Sequence, residues 1–276
     1  MTNAVYDGNS VFARSYFAAE KEHAGDPEYA ISLAVKTILR ILHPERNRLG
    51  VQFTHSFFAW DGEQAKSKQR KPKPPEYHAT RLVLKEVLSL MLGTVHFEHP
   101  DYEGDDIVAT AAYQSDPADT VYIISGDKDL QQLQGGNCRY YCLNNKAELS
   151  SSFISTRFNV KRPNQVAIAL AIQGDPVDGI PGIRGWGPVR VKHLFEKVPK
   201  NAKFEEALAI IEHEIPPQFQ PAFQDSLART LLGANVPDVP KPAEIVMGEP
   251  DNIAQLDIPD IAVLYQEVYE AYSREA

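Results

Sequence analysis

Three acidic residues crowd the stretch YEGDDIVATAA, where Glu103, Asp105 and Asp106 fall within four positions. One acid is enough to stabilise the start of a helix, which carries a partial positive charge, and Asp105 is placed to cap a helix that begins here. Three close carboxylates also raise one another's pKa unless a cation balances their charge. The spacing therefore indicates a site for a hard divalent cation.

More acids follow apolar stretches elsewhere in the chain. The runs AVYD, HSFFAWD and TVYIISGD each end in an aspartate, and the stretches SGDKDL and GDPVDG supply three further ones. A lone aspartate after a strand is commonly a turn residue, but the repeated pattern favours a shared site. The complete set is Asp7, Asp61, Glu103, Asp105, Asp106, Asp127, Asp129, Asp175 and Asp178. Oxygen ligands alone suit magnesium or manganese rather than zinc or iron.

The elements around these acids alternate between strand and helix. Apolar residues at helical spacing follow a capping Asp26 and a proline at position 27, and ATRLVLKEVLSLML is a second amphipathic pattern. This alternation predicts an α/β fold: a mostly parallel, twisted sheet with helices on both faces. Ligands of such sheets bind outside the carboxyl ends of the strands, which is where Asp7, Asp61 and Asp127 would lie.

The character of the sequence changes near residue 160. We predict an α/β core over residues 1–160, with an arch-like segment near 62–80, and a helical region over 161–276. The helical pattern RPNQVAIALAIQ opens the second region. A turn-rich stretch with five glycines follows it and predicts a hairpin at 179–192.

The composition excludes several classes of protein. The 276 residues are 43% hydrophobic and 24% charged, which is typical of a folded globular chain, and no apolar stretch reaches the roughly 18 residues that span a bilayer. The N-terminus lacks the features of a secretory signal, so a cytoplasmic location is expected. Cys138 and Cys142 lie in a strand pattern, about 13 Å apart, which is too far for a disulfide. The eight histidines do not pair with them at zinc-ligand spacing.

The chain resembles a known family in five ordered motifs: DGNSVFAR, FFAWDG, YEGDDIVA, ISGDKDLQQL and GDPVDGIPGIRGWG. The family is the 5′-nuclease superfamily of flap endonucleases and 5′ to 3′ exonucleases. The resemblance spans about residues 4 to 198 and is strongest to stand-alone bacteriophage enzymes and to the 5′-nuclease domain of bacterial DNA polymerase I. It implies a PIN-like sheet followed by a helix-hairpin-helix motif.

By this resemblance the acids divide between two magnesium ions, for which manganese can substitute. Asp7, Asp61, Glu103 and Asp105 would surround the first ion with Asp106 adjacent, and Asp127, Asp129, Asp175 and Asp178 would organise the second, partly through water. Two such ions activate a water molecule and stabilise the leaving 3′ oxygen of a phosphodiester. The net charge of −9 fits this interpretation because, without these nine acids, the remaining Asp and Glu residues equal the 28 Lys and Arg residues in number.

A basic run, KSKQRKPKP, follows Asp61. Such a run is commonly a solvated loop, but beside a carboxylate cluster it would guide the phosphate backbone to the site. In the family this position begins a helical arch that passes a 5′ single strand, although the usual Tyr-Lys-x-x-Arg element is absent here and the span to Glu103 is short. The candidates for catalytic cations are Lys66, Arg70 and Lys68, and Lys71 and Lys73 would contact DNA.

Further DNA contacts are predicted outside this run. Arg14 matches a family arginine near the phosphate, although a surface ion pair would also explain it. The stretch GIPGIRGWGPVRVKHLF resembles a hairpin that binds duplex DNA, whose glycines let backbone amides approach phosphates. Trp186 and Val191 depart from the small residues usual there. The predicted contacts are Gly182, Gly185, Gly187, Arg190 and Lys192, and the resemblance also implies a potassium ion, K+, on the loop carbonyls.

Aromatic residues near the acids have two interpretations. Tyr16, Phe17, Phe57 and Trp60 could stack on a displaced base of the substrate. Core packing is favoured for most of them.

The leading hypothesis is a magnesium-dependent, structure-specific 5′-nuclease that acts on DNA as a 5′ to 3′ exonuclease and flap endonuclease and also removes RNA primers. Its expected partners are branched or 5′-ended duplex DNA and RNA/DNA hybrids, and no membrane association is expected. The protein is expected to act as a monomer in a bacterial or phage-infected cell. A PIN-type ribonuclease shares the sheet and the acids but lacks the glycine-rich hairpin and the basic run. A non-catalytic DNA-junction-binding protein is the third hypothesis, against which the intact second-site acids argue.

Overall fold

The computed structural model describes residues 1–65, 73–233, 235–256, 258 and 261–273. Within them, the strands are β1 (Thr2–Asp7), β2 (His55–Trp60), β3 (Val95–Glu98), β4 (Thr120–Ser125), β5 (Cys138–Cys142), β6 (Ala147–Leu149) and β7 (Ala243–Glu244). The α-helices are α1 (Gly8–Glu22), α2 (Pro27–Leu42), α3 (Pro75–Met91), α4 (Gly104–Tyr113), α5 (Ser151–Phe158), α6 (Val166–Gln173), α7 (Pro188–Glu196), α8 (Phe204–Glu214), α9 (Gln220–Thr230), α10 (Pro250–Ala254) and α11 (Ala262–Ser273). Short 3-10 turns cover Asp129–Leu133, Pro163–Gln165 and Pro217–Phe219.

The strands form one mixed sheet with β1 near its centre. Their order is β3-β2-β1-β4-β5-β6, and β7 pairs with the start of β2. Strands β1 to β5 run parallel, whereas β6 and β7 are antiparallel to their neighbours. Because parallel strands share a carboxyl edge, the residues that follow β1, β2 and β4 come together there.

Two apolar cores cover the two faces of the sheet. Alternate residues of β1 point to opposite faces: Val5 belongs to the core that contains α4 and α6, and Tyr6 belongs to the core that contains α1, α2 and α3. Each apolar side chain that is fully buried in this way contributes roughly 1.5–3 kcal/mol. The predicted α/β fold, with a mostly parallel sheet and helices on both faces, is confirmed.

Local capping signals account for the start of α2. The Asp26 side chain accepts hydrogen bonds from the backbone N–H groups of Glu28 (2.9 Å) and Tyr29 (3.5 Å), and Pro27 is the first helical residue. This helix was predicted from the same residues and is confirmed. The second amphipathic pattern also forms a helix, but α3 begins earlier than the pattern, at Pro75, because a proline is favoured at the first position of a helix.

The chain after residue 160 contributes to both faces. Helices α6 to α9 extend the first core, which contains both Val160 and Val166. The last part of the chain returns to the other face, where Tyr265 of α11 is buried in the second core and its hydroxyl bonds the carbonyl of Met91 (2.9 Å). The cores therefore run across the expected boundary at residue 160, and the division into two domains stays a prediction.

Two exclusions drawn from the composition can be compared with the structure. Cys138 and Cys142 are the first and last residues of β5, and both thiols are buried and free. Burial raises the pKa of the Cys138 thiol to about 11, so this group stays protonated at neutral pH. Among the described helices, none combines the length and the apolar character that crossing a lipid bilayer requires.

Candidate active site

Asp7 ends β1 and caps the helix that follows it. Its Oδ1 accepts a hydrogen bond from the backbone N–H of Ser10 (2.9 Å), and its Oδ2 accepts one from the hydroxyl of Ser125 at the end of β4 (2.7 Å). The Ser125 oxygen in turn accepts the backbone N–H of Asp127 (2.8 Å). The side chain is buried, so the ends of two neighbouring strands fix its direction.

Close packing brings the next acid, Asp61, to the same edge. Gly8 lies against the indole ring of Trp60, and a Cβ at Gly8 would stand 2.8 Å from that ring, which leaves no room for a side chain. Trp60 is fully buried, and its Nε1 donates to Nδ1 of His96 on β3 (3.1 Å). The residues directly before Asp61 and directly after Asp7 are therefore held in contact.

His96, which holds this tryptophan, should make stability fall below neutral pH. Burial, followed by the charge of Lys85, lowers the pKa of His96 from 6.5 to about 4. Between these values the unfolded chain binds a proton at this residue that the folded protein excludes, so the contribution of His96 to the free energy of unfolding should decrease by about 2 kcal/mol from pH 8 to pH 5. The substitution His96→Asn keeps an acceptor for Trp60 and does not titrate. Urea unfolding of both proteins at both pH values should show that the free energy of unfolding changes by about 2 kcal/mol in favour of H96N when the pH falls from 8 to 5. The same pH dependence in both proteins would contradict this role of His96.

Glu103 and Asp61 meet at the start of α4. The helix begins at Gly104 with Glu103 in the N-cap position, and the Gly104 N–H donates to Oδ1 of Asp61 (2.8 Å). The expectation that Asp105 caps this helix is wrong, since Asp105 lies in its first turn. The difference arises because Asp61 satisfies the backbone N–H of Gly104 and draws the helix start toward β2. Glu103 and Asp105 are both buried.

Asp106 contacts a different part of the chain. Its Oδ1 accepts the backbone N–H of Gly233 (2.8 Å). One turn later on α4, the Thr110 hydroxyl oxygen accepts the backbone N–H of Val236 (3.2 Å). Asp106 is not among the residues that line the cavity described below, and its observed contact anchors the segment after α9 on α4.

A second group of acids lies where β4 and α6 end. Asp129, Asp175 and Asp178 each offer a carboxylate oxygen, and these oxygens lie within 4.8 Å of one another. All three residues are at most 5% exposed. The backbone N–H of Asp129 donates to Oδ1 of Asp127 (2.9 Å), which connects this group to the first one. Lys128 forms an ion pair with Asp175.

One cavity of about 1270 Å³ joins the two groups. Of the nine predicted acids, those that line it are Asp7, Asp61, Glu103, Asp105, Asp127 and Asp178. Asp129 and Asp175 are buried beside Asp178. The arginine and lysine residues that line it are Arg14, Lys73, Arg81, Lys128 and Arg157. The cavity thus brings a set of carboxylates and a set of cationic side chains to one place.

The electrostatics of the acids favour a bound cation. Burial raises the pKa of Asp7 to about 7; the hydrogen bond from Ser125 opposes this shift, and the charges of Asp127 and Asp61 add to it. A divalent ion among these oxygens would relieve the repulsion. The donors are carboxylate oxygens, which hard divalent cations prefer. The residues present therefore fit a divalent-metal site.

The residues predicted to bind DNA near the basic run fall into two sets. Arg14 and Lys73 line the cavity, and Nζ of Lys73 lies 4.5 Å from the ring centre of Phe17. Lys66, Lys68, Arg70 and Lys71 lie outside the described residues. The last part of the expected arch-like segment, residues 75–80, forms the first turns of α3, in which Tyr77 and Thr80 are buried.

The predicted hairpin occupies the loop between α6 and α7. The loop contains Gly182, Gly185 and Gly187, and the first two turns of α7 present Arg190 and Lys192 to solvent. The Gly182 N–H donates to the hydroxyl of Ser226 on α9 (3.1 Å), which holds the loop from inside. The ring centres of Trp186 and Phe219 lie 5.5 Å apart. The guanidinium carbon of Arg190 lies 4.5 Å from the ring centre of Trp186. The large side chain of Trp186 therefore packs the hairpin against the turn between α8 and α9.

The structure separates the four aromatic candidates for base stacking. Phe57 and Trp60 are fully buried and Tyr16 is nearly so, which confirms the expected core packing for these three. Phe17 is 41% exposed and lines the cavity. It is the one of the four whose ring a substrate base can reach.

The sequence did not point to several polar residues of the cavity. Arg81 of α3 donates to Oδ1 of Asn9 (3.2 Å), and Arg157 of α5 also reaches the lining. Neither carries a local signal, because their positions depend on how the helices pack. Lys128, by contrast, has a local signal in the sequence, since it stands between two of the predicted acids.

The sheet gathers carboxylates at the carboxyl edge of its parallel strands, beside basic side chains, which is the arrangement that a metal-dependent nuclease requires. Residues 2–159 match the family described as 5′-3′ exonuclease, N-terminal resolvase-like domain. The chain belongs to this family. The predicted family and the predicted class of enzyme are confirmed.

Relatives in sequence agree with this assignment, and a solved structure shares the fold. A 5′-3′ exonuclease of Aquifex aeolicus is 31% identical over 199 residues, which are 70% of this chain and 68% of the relative. The flap endonuclease Xni of Shewanella sp. (strain MR-4) is 30% identical over 202 residues, 69% of this chain and 73% of the relative. DNA polymerase I of Thermus thermophilus is 28% identical, but the similar part is 23% of its length. The flap endonuclease of bacteriophage T5, solved in a product complex with DNA and metal ions, has the same fold, with a TM-score of 0.57, 16% identity and 98% of both chains covered.

Proposed function

We propose that this protein is a magnesium-dependent, structure-specific 5′-nuclease that hydrolyses DNA as a 5′ to 3′ exonuclease and 5′-flap endonuclease. The observation that carries the proposal is the cavity in which buried and half-buried carboxylates from the ends of β1, β2 and β4 and the start of α4 meet basic side chains. Phosphodiester hydrolysis by this class needs both, because carboxylates hold the metal ions and cations offset the repulsion between the acids and the phosphate backbone. The names of the Aquifex and Shewanella relatives support the two activities.

The acids would hold two magnesium ions, with manganese as a substitute. Asp7, Asp61, Glu103 and Asp105 would hold the first, and Asp127, Asp129, Asp175 and Asp178 the second. Ions held there would supply the activation of a water molecule and the stabilisation of the leaving oxygen. The protein fixes the oxygens in advance: Ser10 and Ser125 orient Asp7, and Gly104 orients Asp61. In this proposal Asp106 keeps α4 and the segment after α9 together.

Basic residues would position the substrate. Arg14, Lys73 and Arg157 line the cavity and can contact the phosphates next to the scissile bond. Lys66, Arg70 and Lys68 stay the candidates for cations that assist the chemistry. The hairpin between α6 and α7 would bind the duplex part through backbone amides, so recognition would follow the shape of the DNA rather than its sequence. The K+ ion on the hairpin, activity on RNA/DNA hybrids and the monomeric state stay predictions.

Removal of divalent metal should abolish cleavage of a 5′ flap. A duplex that carries a fluorescent label on a 5′ single-stranded flap should be cut in Mg²⁺ and left intact in excess EDTA, because without a metal ion no group at the site both activates water and stabilises the leaving oxygen. Gel electrophoresis of the labelled products measures the cut. Addition of Mg²⁺ beyond the EDTA should restore cleavage, which excludes irreversible unfolding as the cause of the loss.

The same assay distinguishes the proposed nuclease from a PIN-type ribonuclease and from a non-catalytic DNA-junction-binding protein. A single-stranded RNA of equal length, incubated in parallel, should be cut far more slowly than the flap. Preferential cutting of the RNA would instead assign the protein to the PIN-type ribonucleases. Tight binding of the flap without a metal-dependent product would mean a non-catalytic junction-binding protein and would overturn the proposal.

A further inference from the structure

Lys128 lies between two predicted metal ligands and pairs with a third. It stands between Asp127 and Asp129, just after β4, and its ammonium forms an ion pair with Oδ2 of Asp175. The Lys128 side chain is 31% exposed and lines the cavity, whereas Asp175 is 2% exposed. A lysine that reaches into a group of buried acids from the cavity side is a cation already present at the site.

This ammonium balances the charge of a buried carboxylate. A buried charged group is costly without a partner of opposite charge. Asp175 is 2% exposed and has Lys128 as a cationic partner. The lysine therefore contacts a carboxylate oxygen that a divalent ion would also use.

The same pair connects the sheet to the hairpin. Asp175 begins the loop after α6, where its Oδ1 accepts the backbone N–H of Val177 (3.1 Å) and its backbone exchanges two hydrogen bonds of 2.8 Å with Ile180. Lys128 lies just after β4, at the carboxyl edge of the sheet. One ion pair thus holds the start of the hairpin against the acids at the edge of the sheet.

We infer that Lys128 is an internal counter-ion of the second metal site, which competes with the divalent ion for Asp175 and lowers the affinity of that site. The inference rests on the proposed two-metal function. When Asp175 turns to a divalent ion, the Lys128 ammonium is released into the cavity that it lines. A positive charge then becomes available to the substrate phosphate in the metal-loaded protein.

Metal titration without DNA tests this inference. Isothermal calorimetry with Mg²⁺, repeated with Mn²⁺, should show that the weaker of two sites binds roughly tenfold more tightly in K128Q, since the cation that competes for the ligand carboxylate has been removed. K128R keeps the charge and should bind as the wild type does. K197Q removes a matched ion pair, Lys197 with Glu214, that does not line the cavity, and should leave both sites unchanged.

Thermal unfolding supplies a second readout. In EDTA, K128Q should unfold at a lower temperature than the wild type, because Asp175 has lost its counter-ion, and Mg²⁺ should restore more stability to K128Q than to the wild type. Unchanged or weaker binding at the second site of K128Q would overturn the inference. If the wild type itself binds fewer than two divalent ions, the proposed two-metal function fails, which is a different result from failure of the role of Lys128 alone.

Discussion

The substitution Asp129→Asn should lower the rate of flap cleavage about 1000-fold or more and leave DNA binding nearly unchanged. Asp129 is 1% exposed and lies with Asp175 and Asp178 in the buried group that we propose as the second metal site. Asparagine has nearly the same size as aspartate, and the substitution leaves the backbone N–H that donates to Asp127 in place. It removes one negative charge. Loss of a metal ligand at such a site costs several kcal/mol of transition-state stabilisation, which corresponds to about three powers of ten in rate.

Single-turnover cleavage and fluorescence anisotropy with the same labelled flap measure the two quantities. Asp225→Asn is the matched control, because Asp225 is an exposed acid on α9 that pairs with Arg229 and lies away from the cavity. Its cleavage rate should equal that of the wild type. Loss of both cleavage and binding in D129N, with a lower thermal midpoint, would mean that Asp129 is structural, and an unchanged rate would remove it from the metal site.

The substitution Gly182→Ala should destabilise the hairpin by about 3 kcal/mol. Gly182 has a φ of +63°, where a non-glycine residue is strained by roughly 1–2 kcal/mol. A Cβ there would also stand 2.3 Å from the backbone nitrogen of Gly174, so the two sides of the loop would be forced apart at a cost of roughly 1–3 kcal/mol. Duplex binding should weaken with it, because the Gly182 N–H would lose its contact to Ser226.

Gly185 offers a control three residues away in the same loop. Its φ is +82°, but a Cβ there would meet nothing within 4 Å, so Gly185→Ala should cost only the backbone strain, about 1 kcal/mol. Urea unfolding of the two variants, together with anisotropy on a duplex, separates steric from conformational effects. Equal destabilisation by the two substitutions would show that close packing against Gly174 is not what position 182 requires.

The edge of the sheet was predictable because its signals are local. Three runs of strand residues lead directly into an aspartate, and the carboxyl ends of parallel strands share an edge, so the common edge of Asp7, Asp61 and Asp127 follows from the parallel direction of the strands. The contact of Asp106 with Gly233 was not predictable, because it depends on a segment that packs on α4 from far along the chain. Arg157 reaches the cavity for the same kind of reason, through the placement of α5.

Strand order also bears on when the nuclease appears during its own synthesis. β1 is made first, yet it lies between β2 and β4, and Asp7 acquires its hydrogen bond to Ser125 only after β4 has emerged from the ribosome. The buried group of Asp129, Asp175 and Asp178 needs the chain beyond α6 as well. At roughly 5–20 residues per second, the growing chain spends about ten seconds or more without a complete set of acids. Until residue 178 has been made, the messenger and ribosomal RNA beside the nascent chain therefore face only a site that lacks part of its acids.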